Sequence, residues 1–321
     1  MVRNISLGTI REAAGVIYEA AVRTPLLRLP TEPGQPEIYL KLEVLQPIGS
    51  FKIRGAYNAV RRLTQAQLAG GVWTVSAGNA AQGVALAART RQAACSVLVM
   101  DTAPETKLEA IERLGATIVK ASYEECWRTV EEHRSGRMRG HFVHPFDDDL
   151  FISGNGTIGL ELVEDLPDVD AVIAPLGGGG LLAGIACALR ALRPEALVYA
   201  AEPETAAPLA ASFKAGRASY FENWQPSFVD GAGGRSVLNS MWPMLHDWVA
   251  DSLVVSLDSA ARAMKRVAER AHVIAEGAAA CAVAAALSPE LASRGHRKVV
   301  AILSGGNIDL SRFAHLVGAC E

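Results

Sequence analysis

The sequence predicts an α/β protein whose strands run parallel. Short β-branched runs alternate with helix-period segments, from residue 72 to 144 and again from 156 to 303. The run Val169 to Ala174 is continuously apolar, as in a strand covered on both faces. Four glycines, Gly177 to Gly180, join that run to a helix pattern. Parallel neighbours need crossover connections, and helices of this length supply them.

The elements follow in order. Ile38 to Leu42 reads as a strand, and Lys52 stands at the start of a helix-like stretch. Val72 to Val75 is a strand before a helix from Asn79 to Thr90. Cys95 to Met100 precedes a helix from Glu105 to Leu114, and Thr117 to Lys120 precedes one from Tyr123 to Arg134. His141 to His144 closes this first series. In the second, Gly156 to Leu166 is amphipathic, with Ile158, Leu162, Val163 and Leu166 on one face. Val169 to Ala174, Leu197 to Ala201, Leu253 to Ser256 and Lys298 to Leu303 read as strands. Leu181 to Leu192, Ala260 to Ala271 and Ala278 to Leu287 read as helices. Phe213 to Asn239 carries five Gly or Pro breaks with little periodicity and reads as a long functional loop. Asp147, Asp148 and Asp149 read as a solvated turn and helix start.

Bulk properties exclude several roles. The chain has 321 residues, half of them hydrophobic and a fifth charged, which suits an ordinary folded core. A net charge of -3 with no basic run argues against nucleic-acid binding. No apolar run reaches the length of a membrane span, and Met1 to Ser6 begins no signal peptide, so a cytoplasmic enzyme is expected. The five cysteines are scattered without ligand spacing and read as free thiols.

Four segments carry possible chemistry. A lysine such as Lys52 can hold an aldehyde through its amine and can serve as a base; alone, it reads rather as a solvated residue at a helix start. Gly177 to Gly180 can bind a phosphate at a helix N-terminus, or form a tight turn. In Ser76-Ala77-Gly78-Asn79, Asn79 can cap the helix that follows, and the same N–H groups can bind a carboxylate. Ser304-Gly305-Gly306-Asn307 follows the last strand and could be a plain turn.

Together, and in this order, the four segments resemble those of the fold-type II pyridoxal phosphate (PLP) enzymes of the serine/threonine dehydratase and serine racemase family. The likeness extends from Arg23-Thr24-Pro25-Leu26 through Gly49-Ser50-Phe51-Lys52-Ile53-Arg54-Gly55-Ala56 and His144-Pro145-Phe146-Asp147-Asp148 to Ile308-Asp309. It implies two open parallel-sheet domains of the tryptophan synthase β type with PLP in the cleft between them. Residues 1–60 and 147–321 would form the large cofactor-binding domain and 61–146 a smaller inserted one. Lys52 would be the catalytic residue. Phe51, Lys52, Asn79, Gly177, Gly178, Gly179, Gly180, Leu181 and Ser304 would hold the cofactor, with Asn79 at its 3′-oxygen and Ser304 at its ring nitrogen. Ser76, Ala77, Gly78, Asn79, Ala80, Asp230 and Gly231 would meet the substrate. The implied activity is dehydration and deamination of a β-hydroxy-α-amino acid such as serine, threonine or phenylserine, in a homodimer. The alternatives are a serine racemase and a β-hydroxyaspartate dehydratase; a non-catalytic PLP-binding protein is a further reading.

Three departures bear on the activity. Racemising members carry a serine where this chain has Ala77, which cannot donate a proton on the face opposite the lysine. Position 80 is commonly histidine, and Ala80 leaves room for a larger substituent. The family's divalent-cation site draws on Glu-Pro-x-x-Ala-x-Asp. Here Glu202 and Ala206 are kept and Pro208 replaces the aspartate, so a divalent cation is an open question. The Glu-Pro that often precedes a late helix is Glu276-Gly277 in this chain.

Overall fold

Apolar runs covered on both faces build two separate sheets. The computed structural model describes residues 3–32 and 35–320; Met1 and Val2, part of the signal-peptide reading, lie outside the described residues. The strands are β1 (Leu26–Leu29), β2 (Glu37–Lys41), β3 (Val72–Val75), β4 (Cys95–Met100), β5 (Thr117–Ala121), β6 (His141–Phe142), β7 (Ala171–Pro175), β8 (Leu197–Pro203), β9 (Asp251–Val255) and β10 (Lys298–Ile302). The larger sheet has the order β1-β2-β10-β7-β8-β9, parallel except for the edge strand β1. The smaller has the order β5-β4-β3-β6 and is wholly parallel. Every residue of β3 and of β7 is buried, as the continuous apolar runs require.

Two apolar layers sandwich the large sheet. One lies beneath the helices Leu257–Ala271 and Gly277–Ala286. The second helix, GAAACAVAAA, is buried along its whole length, because side chains this small let it lie flat between sheet and neighbour. The other layer lies beneath Asp149–Asp165 and Gly180–Leu192. A third cluster joins the small sheet to the helix Lys52–Arg61, which packs on Asn79–Thr90. That helix also meets Asp149–Asp165 backbone to backbone: a Cβ on Gly154 would fall 2.4 Å from the Arg54 carbonyl oxygen.

A buried ionic network locks this junction. The Arg54 guanidinium donates to both oxygens of Glu43 at 2.8 Å and to those of Glu161 at 2.6 and 3.0 Å. Lys41 Nζ donates to Glu161 at 2.6 Å and to the Thr24 carbonyl at 2.7 Å. All four charged side chains are at most 1% exposed. Two cations and two anions thus satisfy one another out of water.

The structure corrects several sequence expectations. The helix expected from Gly156 begins at Asp149, where the Asp148 carboxylate accepts from the Phe151 N–H. Asp147 is buried rather than solvated, because Arg3 and Ser240 donate to its carboxylate at 2.7 and 2.5 Å. The helices Leu7–Ile17, Pro208–Ala215, Trp242–Trp248 and Leu310–Gly318, and strand β1, were not anticipated. Between Ala215 and Trp242 lies the expected long irregular segment, tied across by one bridge, Tyr220 to Ser236.

Candidate active site

The carboxyl ends of parallel strands are where such sheets present ligands, and the four segments lie there. β2 leads to Lys52 at the start of its helix, β7 to the four glycines, β10 to Ser304, and β3 to the Ser76–Gly78 turn. Two backbone bonds fasten the lysine segment to the segment after β10. Phe51 N–H donates to the Ser304 carbonyl and Gly306 N–H to the Gly49 carbonyl, each at 2.9 Å.

Lys52 lies deep in the molecule and is only partly accessible. Its Nζ donates to the Pro145 carbonyl at 2.7 Å, between the rings of Phe51 and Phe151 at 5.2 and 5.3 Å. Burial pulls its pKa down to about 8, against the opposing pull of Glu276. A lysine there can be neutral near physiological pH, as nucleophilic or basic work requires.

The tetraglycine is shaped by Phe146. A Cβ on Gly178 would lie 2.1 Å from that ring, and Gly179 has φ +91°, so side chains are barred from the turn. The helix Gly180–Leu192 starts without a side-chain cap, which leaves its first N–H groups available to an anion. Leu181 sends its side chain into the core and has only backbone to offer a ligand.

At the facing turn, Ser76 Oγ accepts from Gly78 N–H at 3.1 Å, and nothing lies within 4 Å of where a Gly78 Cβ would stand. Ala77 packs against the small-sheet core, and Ala80 is buried. Asn79 Nδ2 donates to Glu276 Oε1 at 2.9 Å, and Asn79 Oδ1 accepts from Asn307 Nδ2 at 2.7 Å. Ser304 is buried. Asp230 is different: it lies exposed on the rim and accepts from Lys107 at 2.6 Å. Gly231 rests on the glycine turn, where a Cβ on Gly177 would come 2.7 Å from its carbonyl oxygen.

Sequence reasoning gave Glu276 and Asn307 no role. Asn307 sits in a quoted motif, but only the fold shows its amide reaching Asn79. Glu276 is a lone acid before an alanine-rich helix, and its sequence carries no sign that it faces the cleft.

These residues fit PLP. A desolvated amine and a glycine turn too tight for side chains, at an uncapped helix start, are joined by a fixed asparagine amide: Gly231, which abuts Gly177, stands where a Cβ would come 3.4 Å from the Glu276 oxygen that holds Asn79. The Glu202 region does not fit a divalent cation. The Glu202 carboxylate already accepts from Leu209 N–H and Ala210 N–H at 2.9 Å and from Ser252 Oγ at 2.5 Å. Pro208 has no side-chain oxygen, and as the first residue of the helix Pro208–Ala215 it sets those N–H groups facing the carboxylate. His133, His144 and Asp147 also gather within metal-ligating distance. His144, however, has both nitrogens engaged: Nδ1 accepts from Asp147 N–H at 2.7 Å and Nε2 faces the Val130 carbonyl at 3.1 Å.

Known proteins resemble this chain along most of its length. A family model described as pyridoxal-phosphate dependent enzyme matches residues 17–305. The chain is 38% identical to an L-threonine ammonia-lyase of Thermotoga maritima, over 98% of this chain and 78% of that protein. It is 39% identical to a catabolic L-threonine dehydratase of Escherichia coli, over 95% and 92%. Among solved structures it is similar to maize serine racemase, with a TM-score of 0.89 and 34% identity over 97% and 96% of the two chains.

Proposed function

The chain belongs to the pyridoxal-phosphate dependent enzyme family, and from that premise we propose that it is an ammonia-lyase that converts a β-hydroxy-α-amino acid to a 2-oxo acid and ammonia. The likeness to threonine dehydratases supports the reaction. The observation that carries the reading is the setting of Lys52: a desolvated amine at the carboxyl ends of the strands, bonded to the Pro145 carbonyl next to the Phe146 ring that packs on the glycine turn.

Bound PLP supplies an aldehyde that a primary amine can hold and a conjugated ring that stabilises negative charge on the adjacent carbon. Lys52 holds the cofactor until substrate arrives, and its Nζ then takes the proton from the substrate Cα. The uncapped N–H groups of the glycine turn would hold the phosphate, Asn79 would serve the ring oxygen, and Ser304 would serve the ring nitrogen. The Ser76–Gly78 turn binds the substrate carboxylate. The substrate thus gives up its Cα proton and its β-hydroxyl as one water; Lys52 would take back its place on the cofactor and free the enamine, which a second water hydrolyses to the 2-oxo acid and ammonia. A neutral hydroxyl at the ring nitrogen fixes no full charge there. That favours prompt loss of the β-group over a long-lived carbanion.

Racemisation is the second reading, because maize serine racemase is so similar. It needs an acid on the face opposite Lys52, and position 77 is alanine. Residues 61–146 are proposed as the smaller domain over the cleft. No described helix is long and apolar enough to cross a membrane; a cytoplasmic homodimer is part of the same proposal. The test is 2-oxo acid release from L-serine, L-threonine, 3-hydroxyaspartate and phenylserine, with chiral analysis of remaining substrate. Release from at least one is expected; none, or D-serine formed as fast as pyruvate, overturns the reading.

A further inference from the structure

Asn79 is held by a relay that begins at a fixed backbone carbonyl. Asn307 Nδ2 spends its two hydrogens on the Ile48 carbonyl at 2.8 Å and on Asn79 Oδ1 at 2.7 Å. Asn79 Nδ2 then gives one hydrogen to Glu276 Oε1 at 2.9 Å and keeps the other. Rotating the Asn79 amide by half a turn would set NH2 against NH2 at one end and carbonyl against carboxylate at the other. The orientation is therefore fixed by chemistry. Packing holds Glu276 in place: its N–H donates to the Gly305 carbonyl at 3.0 Å, and a Cβ on Gly305 would come 2.7 Å from Oε1.

We propose that Glu276 is a positioning residue of this site: it fixes, with Asn307, the amide of Asn79 toward the cofactor's ring oxygen, and it sets a carboxylate rather than a neutral group on that side of the cleft. The proposal rests on the PLP reading above. Burial raises the Glu276 pKa to about 7, against the pull of the Asn79 hydrogen bond and of Lys107 and Lys52, with Asp230 adding to the rise. Those are the charged groups that face it: Lys52 from its helix, Lys107 from Glu105–Glu112 and Asp230 from the rim. The ionised form is the one that accepts from Asn79, so the relay is complete above about pH 7 and weakens below it.

The two halves of the proposal separate in two variants. Glu276→Gln keeps an acceptor for Asn79 and removes the charge; Glu276→Ala removes both. PLP is titrated into native and variant proteins by its visible absorption, from pH 6 to 9, alongside steady-state kinetics and thermal unfolding. The native protein should lose kcat/KM as pH falls through about 7. Glu276→Gln should bind PLP within about threefold of native, lose that acid-side fall, and lose at least tenfold in kcat with little change in KM. Glu276→Ala should bind PLP at least tenfold more weakly at an unchanged unfolding temperature. A Gln variant with the native pH profile, or an Ala variant with native PLP affinity, overturns the proposal. If the native protein itself takes up no PLP, the functional reading falls and this inference falls with it.

Discussion

Replacing Arg54 with methionine should cost far more than its distance from solvent suggests. Methionine fills similar volume but cannot donate. The change removes six hydrogen bonds: four to the Glu43 and Glu161 carboxylates, one to Thr157 Oγ1 and one to the Val22 carbonyl. Glu43 would keep only Thr24 and Gln46, and Glu161 would keep Lys41 and Tyr18. Glu161 would keep the Lys41 ammonium, and Glu43 would be left buried with no cation beside it. Breaking a buried pair by removing one partner costs about 3–5 kcal/mol, a large share of the ~5–15 kcal/mol that holds a typical fold. Arg54→Lys keeps the charge but loses the fork, and should cost less, about 1.5–3 kcal/mol for one charge-assisted bond. Urea unfolding read by fluorescence and circular dichroism measures both. The pH dependence gives a second reading. Burial pushes the Glu161 carboxyl up, but Arg54 and Lys41 outweigh it and hold it below the usual carboxylate range. Its contribution is thus full above the unfolded pKa of about 4.3 and is lost as pH falls through the lower folded value. In Arg54→Met that acid-side loss should shrink. A cost below about 1 kcal/mol for Arg54→Met, with an unchanged acid slope, would refute the account of this network.

Other consequences are as direct. Lys52→Ala should abolish turnover, and borohydride should no longer lock the cofactor onto the chain; a retained covalent adduct by mass spectrometry would show another amine at work. Ala77→Ser should introduce D-serine formation that the native protein lacks, and a variant as stereochemically inert as native would mean that position 77 does not face Cα. EDTA and added Mg²⁺ or Ca²⁺ should leave activity and unfolding temperature unchanged, since the Glu202 oxygens are already taken; a cation-dependent rise in either would contradict that. Ala80→His should lower kcat/KM for phenylserine relative to threonine if, as proposed, position 80 borders the substrate, because a ring at this buried position needs volume the alanine leaves free; an unchanged ratio would clear position 80 of shaping the pocket.

The inner strands β3 and β7 were legible because they are apolar on both faces, whereas the edge strand β1, half-exposed, was not. β3 and β4 fall on the expected residues, and the helix from Asn79 to Thr90 does too. Helix Pro208–Ala215 was hidden because its register is set by tertiary contact: a carboxylate on β8 satisfies its first N–H groups. Asp147 was misread because three consecutive aspartates look solvated, and only the fold brings Arg3 and Ser240, both remote in sequence, to its carboxylate. The lysine, glycine and serine segments stood out because each is a compact motif, and the fold sets all three after strands of the large sheet. Glu276 could not, because its role depends on side chains contributed by Asn79 and Asn307, which are remote in sequence.

The place of β10 has a consequence for how the protein acquires its cofactor. The last strand in the sequence is inserted between β2 and β7, in the middle of the large sheet. Until residues 298–302 are synthesised, β2 and β7 have no strand to join them, and the lysine segment lacks its two backbone fastenings to residues 304 and 306. Lys52 is therefore made early and organised last. Contacts that span some 250 residues close slowly, so the amine stays in water, protonated and poorly nucleophilic, through most of folding. On the proposed function, loading of Lys52 with the aldehyde would belong to the finished fold, and a cell short of cofactor would accumulate complete but unloaded chains rather than half-built ones.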